Sequence, residues 1–211
     1  MPSEQQDSGA CPIDTPLRVR HRVAEAAADL VSGAGHDNGG GSRSGAARMG
    51  GAPPGHAGAD VYLAMLQDRL PVYVHSLSAA TAQAGNGSVD ENLSLAAHAT
   101  ICFYASILPV KVSVLAIPAE LIELRHAMKA RRLGPGRAEE TVAWYLREEQ
   151  QLGRVAADAD PRASARLLLG ACLSYSFTAM LLGDEGVPPP DEYVPDLVRG
   201  LRLAPLDRRR G

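Results

Sequence analysis

The run from Leu167 to Leu182, LLLGACLSYSFTAMLL, predicts a helix that is apolar on almost every side. A helix with no polar face must be covered all round. What covers it is therefore the question the rest of the chain has to answer. The run ends a helix pair that spans Arg137 to Leu182. Glu139 and Glu140 place negative charge in the first turn of the pair's leading helix, where the macrodipole favours it. Ala138, Val142, Tyr145 and Leu152 recur at helical spacing, and Gly153 stands where a C-terminal glycine belongs. Asp160-Pro161 opens the second helix as an N-cap acceptor followed by a first-turn proline.

Further helices are predicted on both sides of the pair. Thr15-Pro16 starts one with Val19, Val23, Ala26, Ala27 and Leu30 on one face, ending near Ser32. From Ala59, Val61, Tyr62, Met65, Leu66 and Leu70 begin another that continues to Leu77, with a kink expected at Pro71. Ala84 to Ser88 reads as a loop, and Ser88 or Asp90 caps the next helix, whose inner face holds Leu93, Ala96, Ala97, Thr100, Ile101 and Tyr104. Residues 106–117 mix β-branched residues with Pro109 and read as helix with a proline interruption. Pro118 starts another helix that ends in the basic turn Lys129, Arg131, Arg132. A last helix carries Val194, Leu197, Val198 and Leu201. The expected fold class is all-α, a multi-helix bundle of seven or eight helices.

One stretch breaks this pattern. From Gly33 to Gly58, ten of 26 residues are glycine, and Met49 is the only large apolar side chain. Each glycine inside a helix costs roughly 1 kcal/mol against alanine, and little apolar surface is present to offset that loss. The stretch reads as a loop. Residues 1–15 form a polar lead-in, and 205–211 a charged tail.

Composition narrows the function classes. The net charge of −3 carries no global nucleic-acid signature. Cys11, Cys102 and Cys172 are far apart and odd in number, which favours buried thiols in a reducing, cytoplasmic compartment. No signal peptide is visible, and no run reaches the length of a membrane span, the longest greasy stretch being broken by Pro109 and Lys111. No histidine spacing suits a metal, no nucleophile motif occurs, and the Gly39 to Ser42 run lacks the strand and lysine of a phosphate loop. Glu139/Glu140 and Glu148/Glu149 are read as solvated helix faces. No catalytic residue, metal or cofactor is expected.

Aromatics remain. His98, Phe103, Tyr104, Met128, Trp144, Tyr145 and Tyr175 are candidates to line a pocket for a small apolar or aromatic ligand between helices, or else simply fill the core. Trp144 and Tyr145 are adjacent, so at most one faces the bundle centre. Gly170, Ala171 and Ser174 permit close helix approach. With Leu167, Thr178, Leu197, Val198 and Leu201 they form the candidate face for a two-fold dimer.

The run YLREEQQLGRVAADADPRASARLLLGACLSYSF, with Pro118-Ala119-Glu120-Leu121 and LRHAMKARRLGPG upstream, resembles the ligand-domain helices of the TetR family of bacterial transcriptional regulators. RVRHRVAEAAADLVSGAG and Asp60 to Leu66 are similar to that family's first and fourth helices. The resemblance implies a cytoplasmic homodimer. Residues 16–78 would hold a helix-turn-helix domain for operator DNA, and residues 79–204 a ligand-binding and dimerisation domain. In Gly33 to Gly58 the sequence departs from the family, and Arg43, Arg48 and His56 are the polar groups left there for DNA phosphates. Three accounts fit that departure: loss of the reading element, folding on DNA, or a reading-frame error that replaced the residues. The alternative function is a helical sensor or heterodimer partner that has lost specific DNA binding.

Overall fold

The computed structural model describes residues 57–82 and 84–205, and every regular element among them is helical. The elements are α1 (Ala57–Thr81), α2 (Val89–Leu115), α3 (Pro118–Ala130), α4 (Gly136–Gln151), α5 (Pro161–Leu182), a short 3-10 turn (Asp184–Gly186) and α6 (Pro190–Gly200). The multi-helix bundle expected from the sequence is what the chain forms here. The helix predicted over 16–32, most of the glycine-rich loop and the tail after Pro205 lie outside the described residues.

The helix ends follow from local chemistry. Ser88 caps α2 in a full capping box: its Oγ accepts from the Glu91 amide at 3.1 Å, and the Glu91 carboxylate accepts from the Ser88 amide at 3.2 Å. Asp160 caps α5 by accepting from the Arg162 and Ala163 amides. Those two amides, Ala163 first, hold the Asp160 carboxyl below its ordinary range. At the end of α4, Gly153 is left-handed with φ 73°. Its amide donates to Gln150 O and the Arg154 amide to Glu149 O, which completes a Schellman turn.

Some expectations need correction. Pro109 does not interrupt its helix: α2 runs through it as one element, and α1 continues past Pro71 to Thr81, as expected. A proline removes one backbone bond and crowds the preceding turn, yet Ile107, Leu108, Val110 and Val114 are buried on both sides of Pro109. Packing on each flank outweighs the local cost. Helix α1 starts at Ala57, two residues inside the predicted loop. The reason is tertiary. Glu120 of α3, itself buried, sets its carboxylate on the first turn of α1 and accepts from the Gly58 amide at 3.4 Å. A Cβ on Gly58 would collide with that carboxylate, so glycine here permits a close approach that favours an anion at a helix N-terminus. Leu152 is the C-cap of α4 and is exposed; Leu146 takes the buried position instead.

Helix α2 is the axis of the bundle. It packs against α1, α3, α5 and α6, while α4 packs on α1 and α5. Fully buried side chains come from four elements: Leu93, Ala96, Ala97 and Val114 of α2, Val142, Tyr145 and Leu146 of α4, Ala165, Leu168 and Cys172 of α5, and Val194 of α6. Cys172 is a buried thiol pushed up to about 12 by desolvation. Cys102 is half-buried on α2. Two helices, Val89–Leu115 and Pro161–Leu182, are long and apolar enough to cross a membrane, which corrects the expectation that no run is. Their charges lie toward the helix ends, and serine, threonine and cysteine do not offset the aliphatic residues between.

Candidate functional site

The candidate ligand residues fall into separate places. Phe103 is buried between α1 and α2, stacked on Tyr73 with centroids 4.4 Å apart and planes at 12°. Tyr104, half-buried, lies tilted beside it at 5.6 Å. The Tyr73 hydroxyl bonds the Thr100 hydroxyl at 3.2 Å, and Thr100 donates on to Ala96 O at 2.7 Å. Burial raises Tyr62, Tyr73 and Tyr104 above the ordinary tyrosine range. Tyr73 is not among the candidates named from the sequence, although it lies three residues after Leu70 and four before Leu77 on the apolar face of α1.

Tyr175 is part of a second aromatic pair. Its ring lies 4.6 Å from that of Tyr193. The Tyr175 hydroxyl donates to Pro188 O at 2.7 Å and the Tyr193 hydroxyl to Ala171 O at 3.2 Å. These bonds tie α6 and its leading turn to α5. Met128 is half-buried on α3. His98 faces α6, with Nε2 3.8 Å from an Asp191 carboxylate oxygen.

Tyr145 and Trp144 part as their adjacency requires. Tyr145 is 0% exposed and Trp144 is 51% exposed. The Tyr145 hydroxyl belongs to a buried polar network that ties the α1–α2 loop to the end of α4. It accepts from Asn92 Nδ2 at 3.0 Å, with the Glu149 carboxylate near enough to raise its pKa. Burial, with Glu149 adding to it, pushes Tyr145 up to about 12. Asn92 Nδ2 also donates to Asn86 O at 3.0 Å. Glu149 accepts from the Gly85 amide at 3.2 Å and pairs with Arg154 Nε at 3.1 Å. Arg154 donates as well to Gly87 O.

Glu149 is fully buried, so its reading as a solvated face is corrected. The signal was present: Glu149 lies seven residues after Val142 and four after Tyr145, on the apolar stripe of α4. Removing one partner of such a pair leaves an uncompensated charge, which makes this network a clamp between α4 and the α1–α2 loop. Glu139, by contrast, sits at the start of α4 and pairs with Arg166 at 2.9 Å and Arg162 at 3.1 Å across to α5. The Arg166 bond first, and then Arg162, hold its carboxyl below the ordinary range.

The candidate dimer residues divide. Helix α5 buries one arc against the bundle and leaves the other open. Leu167 is 63% exposed and Leu181 62% exposed, with Gly170, Ser174, Phe177 and Leu182 also open. Positions 167, 170, 174, 177 and 181 make one stripe at helical spacing. Ala171 and Thr178 are half-buried at its margin. On α6 and just after it, Leu197 and Leu201 are half-exposed. Val198 is buried inside the protomer, where α6 meets α2.

The two best-formed hollows are open grooves. One, of about 670 Å³, lies between the start of α2 and α6 and is bordered by Leu95, His98 and Val198. The other, of about 320 Å³, runs between the start of α1 and α3, past Asp60, Glu123, His126 and Arg131. Of the candidate ligand residues only His98 borders either. No group of metal-ligating side chains stands together among the described residues. Arg43, Arg48 and His56 lie outside the described residues. No family model, curated protein or solved structure matches this chain.

Proposed function

We propose that the chain is a TetR-like regulator, a homodimer that responds to a small apolar or aromatic ligand and acts on operator DNA as a repressor. The observation that carries the reading is the open apolar arc of α5. Fully burying a leucine or phenylalanine is worth about 1.5 to 3 kcal/mol, and Leu167, Phe177, Leu181 and Leu182 all lie in reach of one partner helix. Four such residues from each protomer supply an apolar centre of the kind a stable interface needs, against an association cost of about 4 to 15 kcal/mol. Leu197 and Leu201, half-exposed on and just after α6, would add to that face. A parallel or antiparallel pair of α5 helices about a two-fold axis covers the arc with a copy of itself. Ligand binding then biases the bundle between two arrangements and so alters the spacing of two DNA-reading heads. The Tyr73, Phe103 and Tyr104 rings, with the Tyr73 and Thr100 hydroxyls, are the aromatic cluster that would meet such a ligand, which would have to part them to enter.

Light scattering at micromolar concentration tests the dimer, and a stable monomer refutes it. A gel-shift experiment on the chain's own upstream DNA, at low and physiological salt, tests the regulator. An intact dimer with no sequence-specific shift moves the reading to a sensor or heterodimer partner without specific DNA binding. Flotation of the wild-type chain with lipid vesicles would instead assign the open arc of α5 to a membrane.

A further inference from the structure

The turn that closes α3 has the same hydrogen bonds as the turn that closes α4. After α4 the left-handed position is Gly153, with φ 73°. After α3 it is Arg132, with φ 51°. The Arg132 amide donates to Lys129 O at 3.2 Å and the Leu133 amide to Met128 O at 2.9 Å, a complete Schellman turn. Glycine takes this conformation without a steric cost and arginine does not. A strained backbone position raises the question of what its side chain does.

The surroundings of Arg132 supply an answer. Between Leu124 and Ala138 the chain has five lysine or arginine residues, Arg125, Lys129, Arg131, Arg132 and Arg137, and no aspartate or glutamate. All five are exposed. None makes an ion pair with another described residue, whereas Arg154, Arg162 and Arg166 all do. The macrodipole of α3 accounts for Lys129 in its last turn. It does not account for Arg137, which lies in the first turn of α4, at the end of a helix that repels a cation. A field of one sign, concentrated on one turn of a chain whose net charge is −3, is built for an anionic partner.

We propose that the end of α3 and the turn into α4 form a contact surface for the phosphate backbone of duplex DNA. The choice of DNA rests on the regulator reading above; the surface itself rests on the exposed cations. Four of the five are arginines, whose planar forks match phosphate oxygens. The segment has no aromatic ring to stack a base, so it adds affinity and register without reading sequence. Met128 and Leu133 are half-buried, and His126 and Arg131, at the margin, share a groove with Asp60 and Glu123. Exposed cations with the local apolar residues turned inward suit a phosphodiester in water better than a lipid surface, which recruits exposed apolar groups beside its cations. Ile122, upstream on α3, is exposed, and vesicles are accordingly the second arm of the test.

The experiment uses the full chain and a fluorescein-labelled duplex of random sequence, read by anisotropy from about 50 to 200 mM salt. The variant R125Q/K129Q/R131Q/R137Q is compared with the parent, with a lysine-for-arginine variant of the same positions, and with Arg132→Gly. Each phosphate that the parent neutralises and the variant does not makes the slope of log affinity on log salt shallower by about 0.9. The glutamine variant is expected to bind at least about tenfold more weakly at low salt with a slope shallower by about 3, and the lysine variant to retain the slope. Arg132→Gly is expected to bind more weakly while melting at a higher temperature, a split that a purely structural arginine does not give. Unchanged affinity and slope in the glutamine variant overturn the proposal. So does a parent that binds no duplex, or one that binds phosphatidylserine vesicles through these cations more tightly than DNA. Patch-dependent binding to random duplex without any operator-specific shift leaves this surface standing and removes the regulator. An operator-specific shift that the glutamine variant retains in full does the reverse.

Discussion

Helices α2 and α5 are alike in sequence and opposite in surroundings. Both are long, both are apolar enough to cross a membrane, and both keep their charges toward their ends. Helix α2 is packed by α1, α3, α5 and α6, and its residues Leu93, Ala96 and Ala97 are fully buried. Helix α5 is covered on the arc of Ala165, Leu168 and Cys172 and open on the arc of Leu167 and Leu181. Hydropathy measures what a helix needs and not what it receives. The same composition yields a bundle axis where four helices pack against it, and an open apolar stripe where cover reaches only one arc.

The largest effect expected is on the clamp that ties α2 and its leading loop to α4. Glu149→Ala leaves Arg154 and the Gly85 amide without their buried carboxylate partner. A loss of about 3 to 5 kcal/mol is expected in a urea melt, and a loss under about 1 kcal/mol would break the view that α2 is anchored there. Next comes the direct contrast of equal chemistry in unequal surroundings. Leu93→Ala on α2 and Leu168→Ala on the covered arc of α5 are each expected to cost about 2 to 5 kcal/mol. Leu167→Ala, on the open arc, is expected to leave the monomer within about 0.5 kcal/mol of the parent. Its effect, and more strongly that of Leu167→Asp with Leu181→Asp, should appear as dissociation in sedimentation. A cost for Leu167→Ala equal to that of Leu168→Ala would erase the distinction between the arcs.

A smaller effect concerns what holds α4 to α5. Glu139 and Asp160 both have carboxyls held below their ordinary range in the folded chain. A depressed folded value contributes stability that is present above the unfolded carboxylate range, near about 4, and is lost as pH falls through the folded value. The melting temperature should therefore drop as pH is lowered below about 4, and Glu139→Gln should flatten part of that drop. An acid limb identical in the variant would remove Glu139 from the α4–α5 tie. One change is expected to stabilise: replacement of Arg132 by glycine should raise stability by about 1 kcal/mol through relief of the left-handed strain.

Much of the fold is legible in local chemistry. Ser88 with Glu91, Asp160 with Pro161, and Gly153 are short-range signals whose partners lie within a few residues, so each is decided by neighbours in the chain. The adjacency of Trp144 and Tyr145 is enough to send one ring inward, though the choice of Tyr145 needed the structure. The candidate site was less legible. Phe103, Tyr145 and Tyr175 are all interior aromatics by pattern, yet they stand in three unconnected places, beside Tyr73, Asn92 and Tyr193. Partners at such sequence separation are invisible to periodicity.

Residues a turn apart were enough to set the helices, their caps and the existence of one helix that no polar face protects, because these depend on propensity and on neighbouring groups. Four outcomes waited on the assembled bundle: that Glu149 is a buried clamp, that Glu120 starts α1, that Pro109 is absorbed, and that α5 is covered on only one arc. Each of these depends on distant side chains meeting across the core, where the gain from packing and pairing exceeds the local preference that the chain displays.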